Sequence, residues 1–347
     1  MYIFSNIDNH INMKNKYIIL IPILILNIIS IIYLSNTQYI TKHLVFLLSS
    51  YIVLFISSKI NINFILKITP YLYIISLILL IVVLLFGREI NGSKAWIHLF
   101  GISIQPSEIA KIILIIYLAN LTIKRKSSIY LVIITLIPSI LTILEPDTGA
   151  IIIYLIILLS NLKYLKIKKK TIITSTIIIG LFIITNIGIY IYNKDILTNI
   201  YGTKILYRID RLISFKEQNN IQTINSLISI GSHNLLYIPE NHNDFVFASI
   251  ISKYSPITFL LIILSYIAIF IYYLNNITKR KNISNIINFT ILNMLLFQIF
   301  YNILMNLSLV PIIGIPLPFI SYGGSYLITL YTLIGISINL NKNNKVV

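Results

Sequence analysis

The stretch PYLYIISLILLIVVLLF, residues 70–86, carries no charged side chain from end to end. A helix rises about 1.5 Å per residue, so an apolar run near ~20 residues spans the ~30 Å hydrocarbon core of a bilayer. The run is continuously apolar. Barrel strands would alternate apolar and polar positions, so this is a membrane helix.

The same pattern repeats along the 347 residues: 57% are apolar, 11% are charged and the mean hydropathy is +0.89. Soluble domains are about a quarter charged. The expected fold is therefore all-α, a polytopic membrane protein with about ten spans, at 17–34, 44–58, 70–86, 107–123, 129–144, 148–162, 171–192, 256–274, 286–308 and 321–340. Residues 1–347 form a single membrane domain, with a long outer loop at 193–250. MKNK before Tyr17 imitates the start of a secretory signal, but no small-x-small cleavage site follows, so the first span is read as uncleaved. The chain has no cysteine, which excludes disulfides, thiolate metal sites and a cysteine nucleophile. Heavy use of Ile, Asn, Lys and Tyr reads as codon bias, so isolated asparagines within spans, such as Asn27 and Asn293, are discounted as functional signals.

The net charge of +17 is not a nucleic-acid footprint, because its distribution follows the membrane. With the N-terminus inside, Lys14, Lys16, Lys59, Lys67, Lys124, Arg125, Lys126 and the run KYLKIKKK (163–170) all fall on the inner side. Short outer loops hold Lys42, Arg88 and Lys94. The positive-inside rule then places both termini in the cytoplasm. Orientation and contact with anionic membrane lipids account for the basic runs. Of ten acidic residues, Glu89, Glu145, Asp147, Asp195, Asp210, Glu217, Glu240 and Asp244 fall outside. Acids contribute little to orientation, so ionic chemistry is expected on the outer face.

Four outer segments carry it, the third of them, 193–250, through two stretches. Residues 87–111 contain the one tryptophan, Trp96, and Gln105-Pro106-Ser107-Glu108 opens the fourth span, where proline suits the first turn. Glu108 and Lys111 share a helix face, either as a structural ion pair or as a pair facing substrate. In LEPDTG (144–149), Asp147 is placed to cap the next helix, and Glu145 stands beside it. In KILYRIDRLISF (204–215), apolar residues recur at helical spacing with Arg208 and Arg211 on the flank. That suits an interfacial connector, or a guanidinium pair that neutralises a pyrophosphate. PENHNDFVFASI (239–250) gathers Glu240, His242 and Asp244 where the eighth span should begin. Asp244 there is an N-terminal charge, a base for an incoming hydroxyl, or with Glu240 and His242 a divalent-cation ligand. Finally, VPIIGIPLPFISYGGSYLI (310–328) has three prolines and three glycines. Non-helical backbone at membrane depth is tolerated only when protein or a water-filled cavity covers it. The donors of Ser321, Tyr322, Gly323, Gly324 and Ser325 are expected to be exposed as a phosphate cradle.

GSKAWIHLFGISIQPSEIAK (92–111), EPDTG (145–149), PENHNDFVFA (239–248) and IPLPFISYGGS (315–325) together resemble the SEDS family of cell-wall proteins, RodA and FtsW, in the same order and over nearly the whole chain. The resemblance implies a peptidoglycan glycosyltransferase of the bacterial cytoplasmic membrane that polymerises lipid II on the outer face. Undecaprenyl pyrophosphate would leave, and a class B penicillin-binding transpeptidase would be the partner. By the same resemblance Asp244 is the essential loop aspartate, Glu108 and Lys111 the ion pair beside the central cavity, and Asp147 the turn aspartate. Trp96, Gln105, His242, Arg208, Arg211 and the 321–325 turn are taken as substrate-binding. No organic cofactor is expected, and a divalent cation is left open.

The chain departs from the family pattern at Asn225, at Asn243 between His242 and Asp244, and at Ser252-Lys253-Tyr254-Ser255. Its acceptor loop is short, with Ser229-Ile230-Gly231-Ser232-His233 running almost directly into Pro239. Two other readings stand beside the enzyme: a flippase for lipid-linked precursors, and a non-catalytic scaffold for the transpeptidase. EIAK (108–111) and the third span lean to the RodA-like, elongation role; EPD leans to FtsW.

Overall fold

A computed structural model describes residues 2–90, 93–99, 102–165, 221–232, 236–254, 256–278 and 281–343; the side chains of 2–17, 88–90, 99, 102, 342 and 343 are outside the description. The helices are α1 (Tyr2–Leu34), α2 (Ile40–Ser57), α3 (Ile62–Phe86), α4 (Pro106–Ile123), α5 (Ser128–Leu144), α6 (Thr148–Leu162), α7 (Ile221–Ser232), α8 (Val246–Lys253), α9 (Pro256–Asn276), α10 (Ile283–Asn306) and α11 (Gly324–Asn343). Every expected span except 171–192, which lies outside the described residues, coincides with one of these helices. So does most of the 193–250 loop lie outside, with Arg208 and Arg211. Among the described residues, five helices (α2, α3, α4, α9 and α10) are long and apolar enough to cross a membrane.

Local chemistry explains the boundaries. α3 starts at Ile62 rather than 70 because Asn61 Oδ1 accepts the amides of Asn63 and Phe64, at 3.0 and 3.4 Å, which starts the helix ahead of Pro70. Ser127 and Asn282 cap α5 and α10 in the same way. α4 opens with Pro106 in its first turn, after an extended Gln105.

α4 is the hub. Along α4 83% of residues are buried, against 28% of the most apolar stretch of α2 and of α3, so α4 faces protein while α2 and α3 face lipid. It packs on α3, α6, α10 and α11; α2 lies along α11, and α1 along α9. Lipid is as apolar as leucine, so contacts between these helices depend on close packing and on hydrogen bonds across the interface.

Asparagine supplies many of those bonds. Asn27 donates to the Tyr51 and Tyr331 hydroxyls, Asn293 to Ser160 Oγ at 2.9 Å, Asn120 to the Leu66 carbonyl at 2.9 Å, and Asn288 to Asn341 Oδ1 at 2.8 Å. The asparagines discounted as composition thus tie helices together, at about 0.6–2 kcal/mol each.

Two features depart from the expected all-helical pattern. Residues 88–104 form three short antiparallel strands, β1 (Arg88–Ile90), β2 (Ser93–Leu99) and β3 (Ile102–Ile104), in the order β1-β2-β3. Arg88 faces Trp96, and Ile97 faces Ile104. The helix that follows Asp244 is also not the eighth span. It is the short α8, and the span begins afresh at Pro256, because proline cannot continue a helix from upstream.

Candidate active site

Five segments meet at the end of the bundle where α1 ends and α2 begins: the α4 start, the α5–α6 turn, the loop 239–245, the bend 310–323 and the α11 start. Asp147 organises the first two. It caps α6 through a bond from the Ala150 amide to Oδ1 at 3.1 Å. Its Oδ2 accepts from Gln105 Nε2 at 2.8 Å and from Ser107 Oγ at 2.9 Å. Tyr154 on α6 returns a bond to the Ser107 carbonyl at 3.0 Å, locking the two helix starts together. Neither Ser107 nor Tyr154 was singled out from the sequence, although Ser107 sits inside QPSE.

One turn further along α4, Lys111 Nζ meets Glu108 Oε1 at 2.5 Å, with both side chains only 5–6% exposed. Two opposite charges three residues apart on one helix neutralise each other in a dry setting, so this is a buried pair rather than one at the rim. Thr329 of α11 bonds the Glu108 carbonyl at 3.4 Å.

The 310–323 bend closes over these helix starts. Gly314 has φ +73°, a left-handed conformation suited to glycine. A Cβ added at Gly149 would stand 3.2 Å from the Gly314 carbonyl oxygen, so the α6 start packs tightly under the bend. On its other side, a Cβ at Gly314 would be 3.5 Å from Asp244 Oδ2. Asp147 and Asp244 therefore flank one bend. Tyr301 and Tyr326 fasten it through the carbonyls of Pro311 and Pro316.

Asp244 precedes α8 but does not cap it: the capping position is Phe245, and no side chain bonds there. Its carboxyl is half-buried. Burial first, then the negative charges of Glu240 and Asp147, push it up to about 7. Glu240 adopts φ +59° at the head of this loop, and its carboxylate lies 3.9 Å from His242 Nε2. The His242 ring stacks on Tyr39 at 4.2 Å and meets Tyr322 edge-on. Burial holds that imidazole below its usual range, opposed by Glu240. Glu240, His242 and Asp244 do not gather as a metal-ligand set; among the described residues no three His, Asp or Glu side chains do.

The expected phosphate cradle is organised differently. Ser321 is fully buried, donating to the Asn243 carbonyl and accepting from the Leu317 amide, each at 2.8 Å. Ser325 donates to the Ser103 carbonyl and accepts the Gln105 amide, each at 3.1 Å. The Tyr322 amide bonds the His242 carbonyl at 2.9 Å. These groups are not exposed donors: they bind loop to loop, and Tyr322, Gly323 and Gly324 stay partly open. Trp96 is partly buried on β2.

A carboxyl near neutrality, open on one edge and framed by two further acids, is equipped to take a proton from a hydroxyl. Two residues before Asp147, Glu145 is fully buried, and neither carboxyl oxygen has a hydrogen-bond partner among the described residues. Burial, then the Asp147 charge, push that carboxyl up to about 9, so it is neutral at pH 7.

Known proteins resemble this chain over most of its length. The chain is 30% identical to the probable peptidoglycan glycosyltransferase FtsW of Wigglesworthia glossinidia brevipalpis over 86% of its own length and 82% of that protein. It is 30% identical to the Bacillus subtilis protein of the same name over 77% of its length and 72% of that protein. Its fold superposes on a chain of a peptidoglycan synthase complex with TM-score 0.80 at 20% identity, covering 95% and 98% of the two chains. Thermus thermophilus RodA gives TM-score 0.70 at 21% identity, covering 94% and 96%. The sequence profile described as cell cycle protein, FtsW/RodA/SpoVE, matches residues 11–346, and the chain belongs to that family.

Proposed function

We propose that this multi-pass protein of the bacterial cytoplasmic membrane is a peptidoglycan glycosyltransferase that polymerises lipid II on the outer face. The observation that carries the reading is Asp244, an acid held near pH 7 at the edge of the bend that also packs on Gly149, two residues after Asp147. The 4-hydroxyl oxygen of the acceptor sugar attacks C1 of the donor sugar, and its proton passes to the Asp244 carboxylate. The C1–O bond to pyrophosphate breaks, and undecaprenyl pyrophosphate departs with the bonding electrons. General-base help of this kind contributes typically 10²–10⁴-fold. Arg208 and Arg211 are proposed to neutralise the leaving group, since guanidinium pairs with phosphate through two donors.

Glu108 and Lys111 keep the floor of the site neutral and ordered. A class B penicillin-binding transpeptidase is the proposed partner, linking strands as they emerge, and elongation is the proposed setting. The presence of Asp244 in this setting favours the enzyme over a non-catalytic scaffold. Among the described residues, the buried ion pair Glu108–Lys111 lies in the first turns of α4, which favours the enzyme over a flippase needing charges on both halves of the membrane.

The test is strand synthesis from lipid II by the purified protein with its transpeptidase, wild type against Asp244→Ala, read on gels. Strands from wild type alone support the reading. Strands from both remove Asp244 from the chemistry, and strands from neither, with both folded and bound to the partner, favour the scaffold.

A further inference from the structure

Asn302 and Asn306 lie one turn apart on α10, so their side chains share a face, and both are fully buried. The Asn302 carboxamide nitrogen donates to two carbonyls at once, those of Asp244 at 2.9 Å and Ile315 at 2.8 Å. With carbonyl oxygens on both sides of it, the orientation of this amide is forced: a flip would set oxygen against oxygen. Asn306 Nδ2 also reaches the Asp244 carbonyl, at 3.1 Å, and bonds the Asn302 main chain at 2.8 Å. Asn306 Oδ1 accepts the Ala248 amide at 3.0 Å. That amide belongs to the first turn of α8, where N–H groups lack partners within the helix. The Asn306 carbonyl, in turn, accepts Ser226 Oγ from α7 at 2.7 Å.

We propose that Asn302 and Asn306 form a carboxamide clamp that sets the Asp244 carboxylate against the Gly314 bend, and that both are positioning residues for glycosyl transfer. This rests on the reading of Asp244 as the base. Residue 315 adjoins Gly314, so a single carboxamide measures the distance between the base and the bend it faces. Two donors on one carbonyl fix the Asp244 main chain, leaving its carboxyl free for the hydroxyl. The groups around that carboxyl are Glu240 and His242 on its own loop, Asp147 at the α6 start, and Tyr326 on α11. A buried donor removed from the clamp leaves carbonyls unsatisfied and lets the loop shift. A misplacement near 1 Å lowers turnover on the order of 10²-fold.

The experiment compares full-length Asn302→Gln, Asn306→Ser and Asp244→Ala with wild type in detergent, keeping only protein that elutes as a single folded species. Asn302→Gln retains the carboxamide but displaces it by one methylene; Asn306→Ser is the milder change, should the first not fold. Two readouts are taken: kcat and KM on lipid II, and the pH dependence of carbodiimide labelling at Asp244 by peptide mass spectrometry. Expected are a kcat lowered on the order of 10²-fold with KM within about twofold, and a displaced labelling profile. Wild-type kcat together with a wild-type labelling profile would overturn the clamp, even with a lowered melting temperature, since that is what a merely structural pair would do. If Asp244→Ala still makes strands, or wild type makes none, the catalytic reading fails by itself. Labelling then still decides whether the asparagines position Asp244.

Discussion

Gly314 faces Asp244 so closely that a β-carbon at 314 would stand 3.5 Å from the aspartate Oδ2. The left-handed backbone at Gly314 and the open edge of the carboxyl are thus one feature. Gly314→Ala is expected to cost about 1–2 kcal/mol through backbone strain alone. It should also lower strand synthesis by setting a methyl group in van der Waals contact with the carboxylate edge. Thermal unfolding in detergent and the gel assay separate the two effects; an alanine variant with wild-type stability and rate would refute this account of the bend.

Asp244 must be unprotonated to accept a proton, and its carboxyl is pushed up to about 7. The rate on lipid II should therefore fall as pH drops through that value and level off above it. Glu240→Gln removes the larger of the two charges that raise Asp244, so the acid limb should move to lower pH. A pH–rate profile for each protein checks this, and a limb that stays in place would exclude Glu240 as the cause.

The Glu108–Lys111 pair is buried on both sides. Glu108→Ala leaves an ammonium uncompensated among apolar side chains, at about 3–5 kcal/mol, so folded yield and activity should drop together. Pairing it with Lys111→Met should restore much of the yield, because an apolar pair needs no partner. Detergent-extracted folded protein is the measurement. Full activity in Glu108→Ala would remove the pair from the site.

The Glu145 carboxyl is buried with no hydrogen-bond partner among the described residues and is raised from 4.5 to about 9. Between those values the folded chain holds a proton that the unfolded chain has released. Stability from this group is complete below pH 4.5 and declines as pH rises toward 9. Glu145→Gln cannot ionise, so its melting temperature should fall less than wild type between pH 6 and 9. Parallel curves would contradict the neutral acid.

Much of this was legible in the residues themselves. The runs that became α2, α3, α4, α9 and α10 are apolar over a membrane thickness, and Asp147 lies one residue before α6 and caps it. The β1–β3 segment was not legible, since short strands between glycines carry little pattern. The separation of α8 from α9 hinged on Pro256. Asn302 and Asn306 were hidden by composition: in a chain rich in asparagine, spacing of four on one helix face carries no signal until the carbonyls they bind are known.

Membrane character follows from sequence, because partitioning into lipid is close to a sum over neighbouring residues. Which groups meet does not. Asp244 is distant in sequence from both Asp147 and Gly314, and Gln105 lies far from Ser325; only the packing of α4, α6, α10 and α11 brings them together. The hydroxyls of Ser321 and Ser325 read as free donors in the sequence. They are bound in the structure because buried polar groups must find partners, and here the nearest ones belong to other loops.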